Sequence, residues 1–271
     1  MSDVLILAAF FLFVLFFFSG WMRTYAAIGG WTLIVINLVS EIPAYLNADN
    51  FLYPVLALLS IPFLIITARA LLRDDPVANK LSRAAAVATI IYVPFAFIPA
   101  VRDMLIRSVV NQAFWIIQAL GHHPQMPAWN IIAENGFANQ IVLGCTGITA
   151  IAMLLGAVAG APHLSYRQGI SAFLIIVPLL YLLNLLRVAI VFIAVSDAWF
   201  RSFPDLSPDK GIGATDFFWA HNVFAEALAI VALLVIITGL FRLVPGLAVL
   251  ARDLVDLYTG SITAFFRRGS A

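Results

Sequence analysis

Seven stretches of this 271-residue chain stay apolar for the ~20 residues that a helix needs to cross a bilayer. They cover 4–20, 26–43, 51–70, 84–101, 142–160, 170–195 and 217–241. Only 11% of the residues are charged and 63% are hydrophobic, against a usual charged share of about 25%. Mean hydropathy is +1.02. A water-soluble domain has too little interior to hide so much apolar surface. The expected fold class is an all-α polytopic membrane protein with about seven transmembrane helices. The formal net charge of +1 creates no global field, so no nucleic acid is expected as a partner. A single cysteine rules out an intrachain disulfide and any multi-cysteine zinc or iron–sulfur site, and no cofactor is expected. The first run is not expected to be a cleaved signal peptide. Its flank carries Asp3 rather than a base, and no Ala-x-Ala site follows.

The loops set the orientation, since basic residues concentrate on the cytoplasmic side. With the N-terminus outside, ten Lys and Arg residues fall inside and four outside, and Arg187 is left within a span. The inner set is Arg23, the group Arg69, Arg73, Lys80 and Arg83, then Arg167, and finally Arg242, Arg252, Arg267 and Arg268. The outer set is Arg102, Arg107, Arg201 and Lys210, joined by Glu41 and Asp49. The chain then divides into four N-terminal transmembrane helices (1–101), an extracytoplasmic loop with an interfacial helix (102–141), three further spans (142–241) and a cytoplasmic amphipathic tail (242–271).

In the long loop, Leu105, Val109, Phe114 and Ile117 fit one helical face. Gly121-His122-His123-Pro124 then breaks that helix, and a connection this long is expected to roof a site. His122 and His123 point apart and have no carboxylate nearby in sequence, so they are expected in a solvated turn rather than on a metal. Pro54, Pro62, Pro94, Pro99 and Pro178 lie in or near spans, where neighbouring helices can satisfy the freed carbonyls. Leu247, Leu250, Leu254, Leu257, Ile262 and Phe265 give the tail an apolar face that suits the membrane surface.

The chemistry-bearing residues crowd the outer half of the last three spans. Cys145 opens the fifth, Arg187 lies in the outer half of the sixth, and His221 lies one turn into the seventh. At ~1.5 Å per residue the three reach similar depth, and consecutive helices tend to be neighbours. Each has a plain explanation as well. A lone cysteine usually packs as a small hydrophobe, and an interior histidine is usually a satisfied core group. Arg187 is harder to set aside. A guanidinium in a span is costly, cannot shed its charge and needs an anion.

The three together fit thiol chemistry. Cys145 as a thiolate would attack a peptide carbonyl, and His221 would activate it and protonate the leaving amine. Arg187 would stabilise the oxyanion or hold the substrate. Asn184 is three residues before Arg187, on the same helix face, where it would orient Arg187, donate to substrate or simply bridge helices. Gly144 and Gly147 allow close approach of a backbone beside Cys145 and Thr146, or serve plain helix packing. Asp216 precedes the last span and fits a cap. Glu226 is five residues past His221, off its face. A transporter that uses the intramembrane arginine, another kind of membrane protease, and a scaffold without catalysis are the competing functions. Gly-x-Ser-Gly and His-Glu-x-x-His are both absent.

The second half of the chain resembles the exosortase/archaeosortase family of membrane transpeptidases. The resemblance rests on Gly144-Cys145-Thr146-Gly147-Ile148, on Pro178-Leu-Leu-Tyr-Leu-Leu-Asn184-Leu-Leu-Arg187, and on Ala220-His221-Asn222. It implies a catalytic cysteine at Cys145, the family's arginine at Arg187 and its third residue at His221. Some archaeosortases carry arginine at that third position, so base and second cation both stay open for His221. The Cys-Thr-Gly-Ile and Asn-Leu-x-Arg context looks most like the archaeosortases. That implies surface or secreted proteins as partners, each with a C-terminal sorting signal of a Pro-Gly-Phe-type motif, a transmembrane helix and a basic tail. It also implies a membrane lipid amine as acyl acceptor, and a multi-pass plasma-membrane enzyme whose site faces outside.

Overall fold

The computed structural model describes residues 2–18, 20–47, 52–207 and 211–269. Asp49 and Lys210 lie outside the described residues, as do the side chains of Asp3, Phe265, Arg267 and Arg268. The helices are α1 (Ser2–Phe18), α2 (Arg23–Ser40), α3 (Ile42–Asn47), α4 (Leu52–Leu72), α5 (Pro76–Phe97), α6 (Pro99–Ala119), α7 (Ile148–Gly160) and α8 (Tyr166–Ser196). After them come α9 (Ala214–Phe217), a π-helical segment (Phe218–Ala225), α10 (Glu226–Leu243) and α11 (Pro245–Gly269).

The protein is a polytopic, largely helical membrane protein. Among the described residues five helical runs are long and apolar enough to cross a bilayer: Arg23–Ala44, Tyr53–Leu72, Pro76–Phe97, Tyr166–Ser196 and Ala214–Leu243. The other two apolar runs form shorter helices, α1 and α7. The 13 residues of α7 rise only ~20 Å, short of a ~30 Å hydrocarbon core. The run expected over 142–160 loses its first turn because Gly147 is left-handed and cannot continue a helix backward. The run expected over 84–101 is instead the helix 76–97. Ile98 is extended ahead of Pro99, as pre-proline residues prefer, and Pro99 opens α6. Helices run through Pro62, Pro94 and Pro178.

The chain forms two compact units. One takes residues 1–93, 152–172 and 240–271. Its core gathers Phe13, Phe16, Ala26, Ala27, Leu71, Ala78 and Ala86. Small residues let helices close in on one another there. A Cβ added to Gly156 would stand 2.4 Å from the Ala84 carbonyl oxygen, and one on Gly160 would stand 2.8 Å from that of Lys80. The tail helix α11 belongs to this unit, and its apolar face meets protein. Leu247 and Leu250 are buried, Tyr258 stacks on Phe63 at 5.4 Å, and its hydroxyl bonds Thr67 at 2.7 Å.

The other unit takes residues 94–151 and 173–239. Its core joins α6 to α8 through Ile106, Val109, Val110, Ala113 and Ile117 on one side and Leu185, Val188, Ala189 and Phe192 on the other. Residues 125–140 form a three-stranded antiparallel sheet, β1 (Gln125–Ala128), β2 (Ile131–Glu134) and β3 (Phe137–Gln140). The sheet stands where the sequence predicts only loop after the interfacial helix of 102–141. Its signal was Asn135-Gly136, whose φ values of 52° and 82° suit a two-residue hairpin turn. The hairpin also changes the histidines. His122 is not in a solvated turn, because Glu134 folds back to place Oε2 3.2 Å from its Nδ1. Asp197 Oδ2 stands 3.8 Å from its Nε2. The Asn135 amide donates to Ser196 O, which fastens the sheet to the end of α8.

Gly156→Val should cost about 1–3 kcal/mol by overpacking. A drop of several degrees in unfolding temperature in detergent is expected. Gly260→Ala, where an added Cβ meets nothing within 4 Å, should leave the temperature unchanged. Equal behaviour of the two would contradict the close helix contact.

Candidate active site

Cys145 lies on a single 3-10 turn, Leu143–Thr146, and not on the helix that follows. The turn is held locally. The Cys145 N–H donates to Val142 O at 2.9 Å, and the Thr146 hydroxyl donates to Leu143 O at 2.7 Å. Gly147 closes the turn with φ +77°, a region where a side chain is strained. Space is also tight, since an added Cβ would stand 3.1 Å from Asn184 Cβ and push that side chain back. The close approach expected at the flanking glycines is therefore real at Gly147, and its partner is a side chain. At Gly144 an added Cβ meets nothing within 4 Å.

Asn184 on α8 reaches back to this turn. Its Nδ2 donates to the Cys145 carbonyl at 2.7 Å, which fixes the backbone that carries the thiol. Three residues on, Arg187 extends from the same face of α8. Its Nη2 lies 2.8 Å from His221 Nε2. A guanidinium can only donate, so Nε2 is the acceptor and the imidazole is neutral in this arrangement. The proton then sits on Nδ1, which donates to Asn222 Oδ1 at 2.8 Å. The Phe217 ring stacks on the imidazole at 4.8 Å and 11°.

His221 sits in the π-helical segment, a local widening that recurs at functional sites. No residue type in Phe218–Ala225 announces that widening, and the sequence alone predicts a regular helix there. Cys145, Asn184, Arg187 and His221 are all half-buried. The Nε of Arg187 is buried with no hydrogen-bond partner among the described residues. That leaves a donor in reserve beside a neutral imidazole.

The structure thus joins Asn184 to the turn that holds Cys145, Thr146 and Gly147, and joins Arg187 to His221 and His221 to Asn222, all within one unit. Asp216 stands apart from them. It does not cap the span, whose first helical turn starts after Gly213 without a side-chain cap. Its buried carboxylate accepts the Phe200 N–H at 2.6 Å and ties down the preceding loop. Among the described residues no group of three or more His, Cys, Asp or Glu is arranged to hold a metal ion.

A family model described as transmembrane exosortase matches residues 2–203, which include Cys145, Asn184 and Arg187 and end before His221. The chain is similar to archaeosortase A of Haloferax volcanii, 28% identical over 260 residues, covering 85% of this chain and 84% of that one. It is similar too to archaeosortase A of Natronomonas pharaonis, 29% identical over 223 residues, covering 75% and 70%. No solved structure matches.

Because Cys145 is the sole cysteine, maleimide labelling in membranes reports on it alone. Asn184→Asp replaces the donor to its carbonyl with an acceptor and should release the turn, so that labelling speeds up severalfold. An unchanged rate would show that the Asn184 bond does not hold the turn.

Proposed function

The chain belongs to the transmembrane exosortase family, and from that premise we propose that it is a membrane-embedded cysteine transpeptidase with Cys145 as nucleophile. The observation that carries the proposal is the pair of bonds one helix turn apart on α8. Asn184 holds the cysteine's backbone, and Arg187 holds His221.

The sequence of events follows from the donors and acceptors present. A substrate carbonyl enters beside Cys145 and draws Arg187 toward its oxygen. The unpartnered Nε of Arg187 supplies a further donor for the developing oxyanion. As the guanidinium leaves Nε2, the imidazole lone pair is freed and takes the thiol proton. The S–C bond forms, and the C–N bond of the scissile peptide breaks. His221 returns the proton to the departing amine, leaving a thioester on Cys145. Asn222 keeps the other imidazole proton on Nδ1 throughout. An acceptor amine then attacks the thioester, restores the thiol and takes the acyl group as an amide.

The substrates are surface proteins with a C-terminal signal of a short Pro-Gly-Phe-type motif, a transmembrane helix and a basic tail. The acceptor is the amine of a membrane lipid. In support, relatives in two archaea carry the name archaeosortase A and are matched over most of their length. The chain makes seven crossings from an outside N-terminus, residues 1–101 hold four of them, the short α7 completes its crossing with the cysteine turn that precedes it, and the site lies in the outer leaflet of the plasma membrane. Residues 102–141 roof it from outside, and 242–271 stay on the cytoplasmic face. A closed, apolar site favours aminolysis over hydrolysis.

The test is processing of such a substrate in membranes. Cys145→Ala and Cys145→Ser should leave it full length while the protein still accumulates. Normal processing by either would sink the proposal, and ion flux that survives Cys145→Ala would favour a transporter. Arg187→Lys keeps the charge but loses the planar fork, and should slow processing by about 10²-fold or more.

His221→Gln separates two roles. Glutamine still offers Arg187 an acceptor but relays no proton, so a loss of about 10²–10⁴-fold is expected. Retention of activity in His221→Gln would make His221 a positioning residue. Retention in His221→Arg would make it a second cation.

A further inference from the structure

The first unit carries a cationic pocket that the proposed chemistry does not use. We propose that the pocket between Arg23, Lys80 and Arg83 binds the phosphate of an anionic lipid headgroup. It is open, has a volume of about 330 Å³, and is lined by Arg23, Asp74, Pro76, Asn79, Lys80 and Arg83. Three cations there face one carboxylate. Asp74 is engaged by the Asn79 amide at 2.8 Å. The adjacent Asp75 caps α5 by accepting the Val77 and Ala78 N–H groups. The ion pairs among the described residues all lie elsewhere in the chain.

The local backbone adds to the positive field. Two helices begin at the pocket, α2 at Arg23 and α5 at Pro76. No side chain caps α2, no acid stands in its first turn, and its first residue is an arginine. A cation at the positive end of a helix is repelled, and an anion placed there relieves the repulsion. Lys80 and Arg83 are three apart and share a face of α5. Arg23 stacks its guanidinium over the Phe16 ring at 4.8 Å. Stacking occupies the face of the group and leaves its in-plane donors for a phosphate.

The surroundings favour a lipid over a soluble phosphate. The apolar helices α1 and α4 end beside it in sequence, at Phe18 and Leu72, so the pocket stands where chain leaves the hydrocarbon. Trp21 and Tyr25, on either side of Arg23, are 84% and 67% exposed. Such aromatics settle at the membrane–water interface. Phe18 and Leu72 are also exposed and offer apolar surface to acyl chains. Basic pockets between transmembrane helices suit phosphate headgroups.

The test uses the full-length protein in neutral detergent with short-chain phosphatidylglycerol, and affinity is read from thermal shift and native mass spectrometry. Arg23→Gln, Lys80→Gln and Arg83→Gln should each weaken binding about fivefold. Lys80→Arg should retain it, as should Arg252→Gln, an exposed cation on α11. Phosphatidylcholine and inorganic phosphate should bind at least tenfold more weakly. The half-exposed Lys80 keeps the test decisive should Arg23→Gln fail to fold once its stacking on Phe16 is lost. Wild-type affinity in the pocket variants, or an equal loss in Arg252→Gln, would overturn the site. Equal binding of inorganic phosphate would overturn the lipid and leave a soluble anion as occupant. None of these readouts depends on peptide processing.

Discussion

The contact between Arg187 and His221 is the constraint on which the rest of the site depends. A guanidinium inside a span keeps its charge at any physiological pH and is expensive to hold there without a partner. Here the partner is a neutral imidazole rather than a carboxylate, at 2.8 Å. An Arg–carboxylate pair would cancel the charge and leave little for a substrate. A neutral partner satisfies one donor and leaves the positive charge uncancelled. The same bond fixes the tautomer of His221, because its other nitrogen must then carry the proton that Asn222 accepts.

Much of the rest of the second unit supports that contact. The α6–α8 core packs against Cys145 and Tyr181 and keeps the α8 face in register with the cysteine turn. The π-helical segment changes the phase of the last span at the position of His221. Asp216 and the Phe200 amide hold the loop that leads into it. The sheet, fastened through Asn135 to the end of α8, brings Phe137 against Phe192 and Phe217, the ring that stacks on His221. The geometry around His221 is thus set by ordinary packing a few residues away from it.

How much of this could be read from the sequence differs from residue to residue. The apolar runs marked the membrane class and most helices, because length and hydropathy are local properties. Arg187 stood out because charge in a span has no cheap structural use. Chain order and the family motifs singled out Cys145, Asn184, Arg187 and His221, and the structure bonds Asn184 to the Cys145 carbonyl and Arg187 to His221. What the sequence did not disclose was backbone conformation. Gly147 was visible as a glycine, yet its left-handed φ moves Cys145 off the helix onto a tight turn. The π-helical segment has no compositional mark. The role of Glu134 at His122 depends on a hairpin that returns the chain over twelve positions, and Asn135-Gly136 alone signalled it. Asp216 was placed as a cap from its position alone, whereas its true partner is a backbone amide sixteen residues earlier.

The most direct measurement of the central claim is to trap the acyl-enzyme. Purified enzyme would be mixed with a sorting-signal substrate while the acceptor amine is withheld, and its intact mass followed. The expected result is an adduct of the substrate's N-terminal fragment on Cys145, released by hydroxylamine as a thioester must be. An adduct on another residue, or cleavage with no hydroxylamine-sensitive species on Cys145, would contradict it.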